Sequence, residues 1–161
     1  MMYQKYVKYG AIAVAIIIAD QITKWMIANT VTYIQVIPVI PGFFNLVHIQ
    51  NPGSAFGLFA NYNSLVRNIF LMSTSIIAIC FVVYLFVKAP QEYPFLAVGL
   101  ALIFGGAIGN MIDRFRLGSV IDFLDFYIGR FHWPAFNVAD SAITIGMIIF
   151  IFYTFFRSPS V

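Results

Sequence analysis

Four apolar segments, each about as long as a membrane-spanning helix, constrain the fold of this chain more than any other feature. A helix needs about 20 apolar residues to cross the hydrocarbon of a bilayer. The predicted spans cover about residues 9–28, 65–87, 95–113 and 139–156. The basic start of the chain resembles a signal peptide, but no A-x-A cleavage site follows the apolar residues, so we expect the first span to be retained.

The composition excludes a water-soluble domain. Hydrophobic residues make up 61% and charged residues 9% of the 161 residues, against about 45–50% and about 25% in soluble domains. The net charge is +3 and the basic residues form no run, which argues against binding of nucleic acid. His48, His132 and the single Cys80 stand apart from one another, so we expect no metal and no cofactor.

Two longer segments connect the predicted spans. Residues 31–63 are rich in Val, Ile, Phe and Tyr and are interrupted by proline and glycine, a pattern typical of short strands and turns. Residues 114–138 form a second polar stretch that is rich in aromatic residues. We therefore predict one mainly α-helical membrane domain over residues 1–161, a bundle of four transmembrane helices with a small strand-rich segment between helices 1 and 2.

Polar residues gather at the ends of three predicted spans. In an antiparallel bundle these ends lie on the same side as the two long segments, so the polar chemistry converges at one face of the membrane. Ionisable groups at membrane depth are costly and are functional candidates for that reason. The residues at these ends are Asp20, Lys24, Asn110, Asp113, Arg114, Asn137 and Asp140.

The positive-inside rule compares the Lys and Arg residues on the two sides of the membrane. The side with the termini carries four and the other side carries five, so the raw count does not decide the orientation. Without Lys24 and Arg114, which we regard as site residues, the termini side leads by four to three. We therefore predict cytoplasmic termini and extracytoplasmic segments at about residues 31–63 and 114–138.

Helical spacing predicts two pairs of polar neighbours. Asp20 and Lys24 are four residues apart, so they share a helix face and can form an ion pair. Asn110 and Arg114 share a face by the same spacing, and the Arg114 guanidinium offers donors to a carboxylate, a carbonyl or a phosphate.

Three further patterns concern packing, capping and turns. The small residues of the 105–109 segment predict close helix–helix packing. Asn137 is a typical N-cap, and Asp140, three residues later, suits the positive end of a helix dipole. The segment from Asn51 to Gly53 predicts a turn, whose backbone amides could contact an extended peptide.

Two aspartates held close together can hydrolyse an amide without a metal. They share a proton, so the ionised member takes a proton from water while the protonated member hydrogen-bonds the scissile carbonyl. The residues alone favour a proton-coupled transporter over such a dyad, with Asp20, Asp122 and Asp140 relaying protons. A serine–lysine peptidase that uses Lys24 and Ser141, and a purely structural scaffold, are further alternatives.

Four sequence blocks resemble those of the lipoprotein signal peptidases (signal peptidase II), in the order of that family. Residues 20–24 are similar to D-x-x-T-K, and residues 51–57 to the block N-x-G-x-A-F, with Ser54 where alanine is common. Residues 105–125 resemble the long block G-G-x-x-G-N-x-x-D-R-x-x-x-G-x-V-x-D-F, and residues 136–141 match F-N-x-A-D-S. Each block is weak alone, but four in order at the ends of four spans are specific.

The resemblance implies an aspartic endopeptidase of the bacterial cytoplasmic membrane, with its active site toward the outer leaflet. Members of this family cut before a cysteine that carries diacylglycerol. The implied partners are therefore diacylglyceryl-modified prolipoproteins and membrane lipid, and we expect a monomer.

The same resemblance assigns roles to individual residues. The implied catalytic pair is Asp122 and Asp140. Asp125 is left as a loop acid, and Asp113 is left without a role. The residues implied to bind substrate are Asn51, Gly53, Asn110, Arg114 and Asn137, and those implied to support the site are Asp20 and Lys24.

Overall fold

The computed structural model describes residues 2–53, 64–90 and 92–156, without the side chains of residues 2–6 and 64. Within these ranges the long helices are α1 (Met2–Thr30), α2 (Ser64–Lys88), α3 (Pro94–Leu117) and α4 (Val138–Phe156). Each of the four contains a segment that is long and apolar enough to cross a membrane. The predicted four-helix membrane fold is therefore confirmed, whereas residues 54–57 of the second sequence block lie outside the described ranges.

Helix α3 is one turn longer than the predicted third span, which we expected to end near Asp113. It begins with Pro94, whose missing N–H costs nothing in the first turn of a helix. It ends at Gly118, whose φ of 71° lies in the left-handed region that favours glycine. The four residues after Asp113 include no glycine or proline, so the helix continues and carries Arg114 on its last turn.

Glycines allow the close approach of α3 to its neighbours that the sequence predicts. A Cβ atom at Gly106 would lie 2.4 Å from the Ala139 carbonyl oxygen of α4, and one at Gly105 would lie 2.8 Å from the Ala13 carbonyl oxygen of α1. The backbones of α1 and α4 therefore rest directly on α3. The backbone of α2, by contrast, comes close only to that of α3 in the described part of the chain.

A four-stranded antiparallel sheet lies at one end of the bundle, in the spatial order β1 (Val36–Ile40), β2 (Phe44–Asn51), β3 (Val120–Ile128) and β4 (Phe131–His132). Strands β1 and β2 come from the segment that we predicted to contain strands. Strands β3 and β4 come from the second polar stretch, where no strand was predicted. The first four residues of β3 are all buried, so this strand lacks the alternation of apolar and polar residues that reveals a half-exposed strand.

Asp125 lies in β3 and is buried, so its prediction as a loop acid is wrong. Asn45 of β2 stands opposite Asp125 in the sheet, and its Nδ2 donates to Asp125 Oδ2 at 2.8 Å. The Nδ1 atom of His132 in β4 lies 2.8 Å from Asp125 Oδ1. Because these contacts connect three strands, Asp125 stabilises the sheet.

An apolar cluster joins the sheet to the end of α1. Ile27 and Val31 from this end pack with Ile121 and Phe123 of β3, and all four side chains are buried. The cluster fixes the first half of β3 against the bundle. Asp122, which lies between two members of the cluster, is thereby held beside the polar ends of the helices.

We predict opposite effects from adding a methyl group at Gly106 and at Gly10. Gly106→Ala brings a Cβ atom against backbone and should destabilise the fold by about 1–3 kcal/mol. Gly10→Ala, in α1, meets nothing within 4 Å and should stabilise its helix by about 0.5–1 kcal/mol. Thermal unfolding in detergent, followed by circular dichroism, should show a lowered midpoint for Gly106→Ala and a slightly raised midpoint for Gly10→Ala. Equal midpoints for the two variants would contradict the close α3–α4 contact.

Candidate active site

The Lys24 ammonium is the centre of the polar cluster at the sheet end of the bundle. Its Nζ atom lies 2.8 Å from Asp20 Oδ2 and 3.0 Å from Asp113 Oδ2, and it donates to Asn110 Oδ1 at 2.9 Å. Three acceptors therefore use the three N–H donors of the ammonium. The predicted Asp20–Lys24 pair is confirmed, and the structure extends it by Asp113.

The two carboxylates that bind Lys24 also reach other elements. Asp20 Oδ1 accepts a hydrogen bond from the Ala139 N–H in the first turn of α4, at 2.9 Å. Asp113 Oδ2 accepts one from the Ile121 N–H of β3, at 3.1 Å. Gln21 Nε2 donates to both carboxylates. Asp113 therefore fixes the backbone next to Asp122.

Sequence reasoning gave Asp113 no role, although one signal was available. Asp113 follows Asn110 by three residues, so a helix places both on one face. Its backbone partner Ile121 belongs to a strand that the sequence did not predict. No local sequence pattern could therefore predict the contact between Asp113 and Ile121.

The Asn110 side chain connects Lys24 to Asp140 by two hydrogen bonds. Its Oδ1 faces the ammonium, so its Nδ2 must face away, and this Nδ2 donates to Asp140 Oδ1 at 2.7 Å. The ammonium on one side and the carboxylate on the other define the orientation of the amide. Asn110 is 5% exposed, so water competes little for these bonds.

Asn137 contacts both of the aspartates predicted to be catalytic. Its Oδ1 accepts the Asp140 N–H at 2.9 Å, while Asp140 Oδ2 accepts the Asn137 N–H at 3.3 Å. This reciprocal pair is a capping box and confirms the predicted N-cap. The Nδ2 of Asn137 donates to Asp122 Oδ1 at 2.7 Å, so one fully buried residue links the two carboxyl groups, through its side chain and its backbone N–H.

Asp122 lies in β3, outside the membrane-spanning helices, and its second oxygen is held from β2. Asn51 Nδ2 donates to Asp122 Oδ2 at 2.9 Å. Burial is the largest effect on this carboxyl and raises the pKa of Asp122 from 3.8 to about 6. Hydrogen bonds from Asn51 and Asn137 lower the pKa of Asp122, and the charge of Asp140 raises it.

Gly53 orients the Asp122 carboxyl group indirectly, through Asn51. Its N–H donates to Asn51 Oδ1 at 2.9 Å, and its φ of 85° requires glycine. A Cβ atom here would also collide with Leu71 of α2. The predicted turn is confirmed, and it orients the amide that holds Asp122.

A crevice of about 480 Å³ lies between α2, α3 and α4, and we call it the site crevice. Its walls are mostly apolar, with Asn110, Arg114 and Asp140 as the polar exceptions beside Ser75. The Nε–H of Arg114 is buried and has no hydrogen-bond partner among the described residues. A buried donor without a partner is costly, so this guanidinium is suited to an incoming oxygen atom.

The structure separates Asp125 from the other acids. It follows Asp122 by three residues in the same strand, so the two side chains point to opposite faces of the sheet. Among the described residues, no group of three or more His, Cys, Asp or Glu side chains could hold a metal ion.

The serine–lysine alternative does not fit this geometry. The Ser141 hydroxyl donates to the Asn137 carbonyl oxygen at 2.9 Å. The Lys24 ammonium is surrounded by Asp20, Asp113 and Asn110, so it is not the base of a serine nucleophile.

Membrane-spanning helices combined with a buried carboxyl cluster at a crevice fit the class of membrane-embedded aspartic proteases. The sequence matches the family described as signal peptidase (SPase) II over residues 12–156. The chain belongs to the signal peptidase II family. This membership excludes the proton-coupled transporter and the structural scaffold as its class.

Relatives and solved structures agree with this assignment. The chain is 51% identical to a lipoprotein signal peptidase of Desulforapulum autotrophicum, over 94% of this chain and 93% of that protein. It is 44% identical to one of Syntrophus aciditrophicus, over 84% of each. A bacterial membrane enzyme solved by the in meso method at 1.9 Å resolution has 37% identity and a TM-score of 0.83, with 94% of each chain covered.

We predict that Asp122 makes the stability of the fold depend on pH. The pKa of Asp122 is about 6 in the folded protein, above its ordinary value of 3.8. The folded state therefore holds the proton of this carboxyl group more tightly than the unfolded state. The stability contributed by the proton is complete below about pH 4 and is lost as the pH rises through about 6, by about 3 kcal/mol. Asp122→Asn removes this titration.

The measurement is the unfolding midpoint of the wild type and of Asp122→Asn, in detergent, from about pH 4 to about pH 8. The midpoint of the wild type should fall relative to that of the variant as the pH rises. Parallel pH profiles would show that Asp122 has no raised pKa in the folded protein.

Proposed function

We propose that the protein removes signal peptides from diacylglyceryl-modified prolipoproteins, cutting before the lipidated cysteine, with Asp122 and Asp140 activating water. Family membership and relatives named lipoprotein signal peptidase support the substrate class. One observation carries the catalytic assignment: Asn137 binds both carboxyl groups, that of Asp122 through its side-chain Nδ2 and that of Asp140 through its backbone N–H, and Asp140 lines the site crevice.

The surroundings of the two aspartates suggest different protonation states. Asp140 lies in the first turn of α4, where the helix dipole favours a negative charge. It also accepts a hydrogen bond from Asn110, whose carbonyl is held by the Lys24 ammonium. Asp122 lies in a strand, and the hydrogen bonds to its carboxyl group come from the neutral side chains of Asn51 and Asn137. Asp140 is therefore the base in our proposal, and Asp122 carries the shared proton.

The hydrolysis then follows the chemistry of a carboxyl dyad. Asp140 removes a proton from water as the oxygen atom attacks the scissile carbonyl carbon, and Asp122 donates its proton to the carbonyl oxygen. When the C–N bond breaks, the proton on Asp140 passes to the leaving nitrogen and Asp122 regains its proton. The products are a signal peptide with a new carboxylate and a lipoprotein that begins with the lipidated cysteine.

The site crevice fits a substrate that is part apolar helix and part extended peptide. Its apolar walls, which include Phe81, Met147 and Phe150, face the side chains of the signal helix. Its polar end presents Arg114 next to Asp140, at the position where the peptide leaves the hydrocarbon. In this proposal the Nε–H of Arg114 binds a carbonyl oxygen of the substrate and fixes its register.

The remaining site residues hold the dyad in place. Asn51 orients Asp122 and is itself oriented by Gly53. Asn110 and Asn137 orient Asp140. Asp20 and Lys24 hold these residues in position, since their ion pair contacts Asn110 and the start of α4.

We also propose that the protein lies in the cytoplasmic membrane as a monomer, with the site at the outer leaflet and the termini in the cytoplasm. Lys24 and Arg114 belong to the buried site, so they are discounted in the positive-inside rule. The remaining basic residues then favour the termini side by four to three. This orientation puts the dyad where exported prolipoproteins present their lipidated cysteine.

We predict that Asp122→Asn and Asp140→Asn each abolish cleavage, whereas Asp125→Asn does not. The first two substitutions remove a titrating group of the dyad and should reduce the rate by a factor of about 100 or more. Asp125→Asn is the matched control, because it makes the same change in the same strand on the opposite face of the sheet. The assay is the gel mobility shift of a purified diacylglyceryl-modified prolipoprotein.

Circular dichroism should show that each of these variants is folded. If either dyad variant cleaves at a near-normal rate, that aspartate is not catalytic. If the wild type itself cuts nothing, or cuts elsewhere than before the lipidated cysteine, the proposed reaction is wrong.

We predict that Arg114→Gln weakens substrate binding by about tenfold or more, because a hydrogen bond from a charged donor is lost. Arg116→Gln is the control, since Arg116 lies two residues away and is exposed. Both changes are made in the Asp140→Asn background, so that binding of a fluorescent lipidated peptide is measured without cleavage. Unchanged affinity in the Arg114 variant would exclude its role in binding.

A further inference from the structure

A second cavity, of about 280 Å³, lies on the other side of the α2–α3 contact from the site crevice. It is enclosed by α1, α2 and α3 in the half of the bundle near the termini. Its lining is apolar apart from the hydroxyl group of Tyr9, and it includes Phe86 of α2 and Phe104 of α3. Val82 of α2 lines both this cavity and the site crevice, so one helix forms a wall of each.

Gly10 in α1 borders the second cavity, and no packing contact among the described residues requires a glycine there. A Cβ atom at Gly10 would meet nothing within 4 Å, whereas those at Gly105 and Gly106 would meet backbone. A glycine inside a helix costs about 0.5–1 kcal/mol relative to alanine. The space beside Gly10 holds no atom of the described residues and can take an occupant from outside the chain.

The shape of the cavity favours a narrow occupant. It is a gap between the side chains of three helices, whereas a helix with its side chains is about 10 Å wide, so an unbranched apolar chain fits it better than a helix of a second copy or of another membrane protein. An acyl chain is unbranched and flexible, so it can lie between the Tyr9 and Phe86 rings at one end and Phe104 at the other.

Positive charge lies beside the cavity on the termini side. The Lys8 ammonium lies 5.5 Å from the centre of the ring of Tyr9, which lines the cavity. The termini side carries four basic residues in the sequence and a single acidic one, Glu92. A basic residue near the membrane surface attracts anionic lipid by about 1 kcal/mol.

We propose that the second cavity binds one acyl chain of an anionic phospholipid from the leaflet on the termini side, with its phosphate group near Lys8. This lipid is distinct from the substrate, which is bound in the site crevice. Since α3 is the one described helix or strand whose backbone comes close to α2, the acyl chain supports α2 across the α2–α3 contact from the site crevice.

Native mass spectrometry of the delipidated protein tests this proposal. The wild type is titrated with phosphatidylglycerol and with phosphatidylcholine of the same acyl chains, and we expect one bound phosphatidylglycerol with a clear preference over phosphatidylcholine. Gly10→Phe and Val14→Phe both fill the cavity from α1 and should weaken this binding by about tenfold. Ala15→Phe adds the same ring at an exposed position that does not line the cavity, so its binding should be unchanged.

Lys8→Gln should lower the affinity for phosphatidylglycerol by about fivefold and leave that for phosphatidylcholine unchanged. Circular dichroism distinguishes lost binding from unfolding, and the two filling variants act from different positions. Equal lipid binding in the wild type and both filling variants would overturn the site. Equal affinity for the two lipids would overturn its charge selectivity, and a dimer abolished by Gly10→Phe would assign the cavity to a second copy instead.

Discussion

The polar end of the bundle depends on the buried ammonium of Lys24. A buried charge is tolerated only where opposite charges and hydrogen-bond partners surround it, and Asp20, Asp113 and Asn110 together use all three N–H donors. Each partner then reaches a further element: the start of α4, the start of β3 and the Asp140 carboxyl group. One cation therefore fixes the relative positions of three helices and a strand.

This network requires the glycines of α3, because polar groups can meet at one point only if the helices come close. A Cβ atom at Gly109 would lie 2.7 Å from Asp20 Oδ2 and would displace the carboxylate that binds Lys24. Gly106 likewise admits the first turn of α4. Helix α2 has no glycine contact of this kind and borders two cavities, which lie on the two sides of its contact with α3. The bundle thus consists of a closely packed group of three helices and one helix flanked by space for apolar chains.

Local patterns predicted the features that depend on near neighbours in sequence. The four spans, the Asp20–Lys24 pair and the Asn137 cap were found because each is defined within one helix or one turn. Strand β3 was missed, because burial removes the alternation that marks a strand. Asp125 was therefore placed in a loop, although its partner Asn45 lies 80 residues away in the chain. No spacing rule connects two residues at that separation.

The sequence by itself determined that this is a four-helix membrane protein, and its blocks identified the family, because apolar length and motif order are properties of the chain alone. Tertiary structure decided which acids meet. Asp122 reaches Asp140 through Asn137 only after β3 pairs with β2 and packs against α1. The raised pKa of Asp122 has the same origin, since burial and the neighbouring charge exist only once distant segments are packed together.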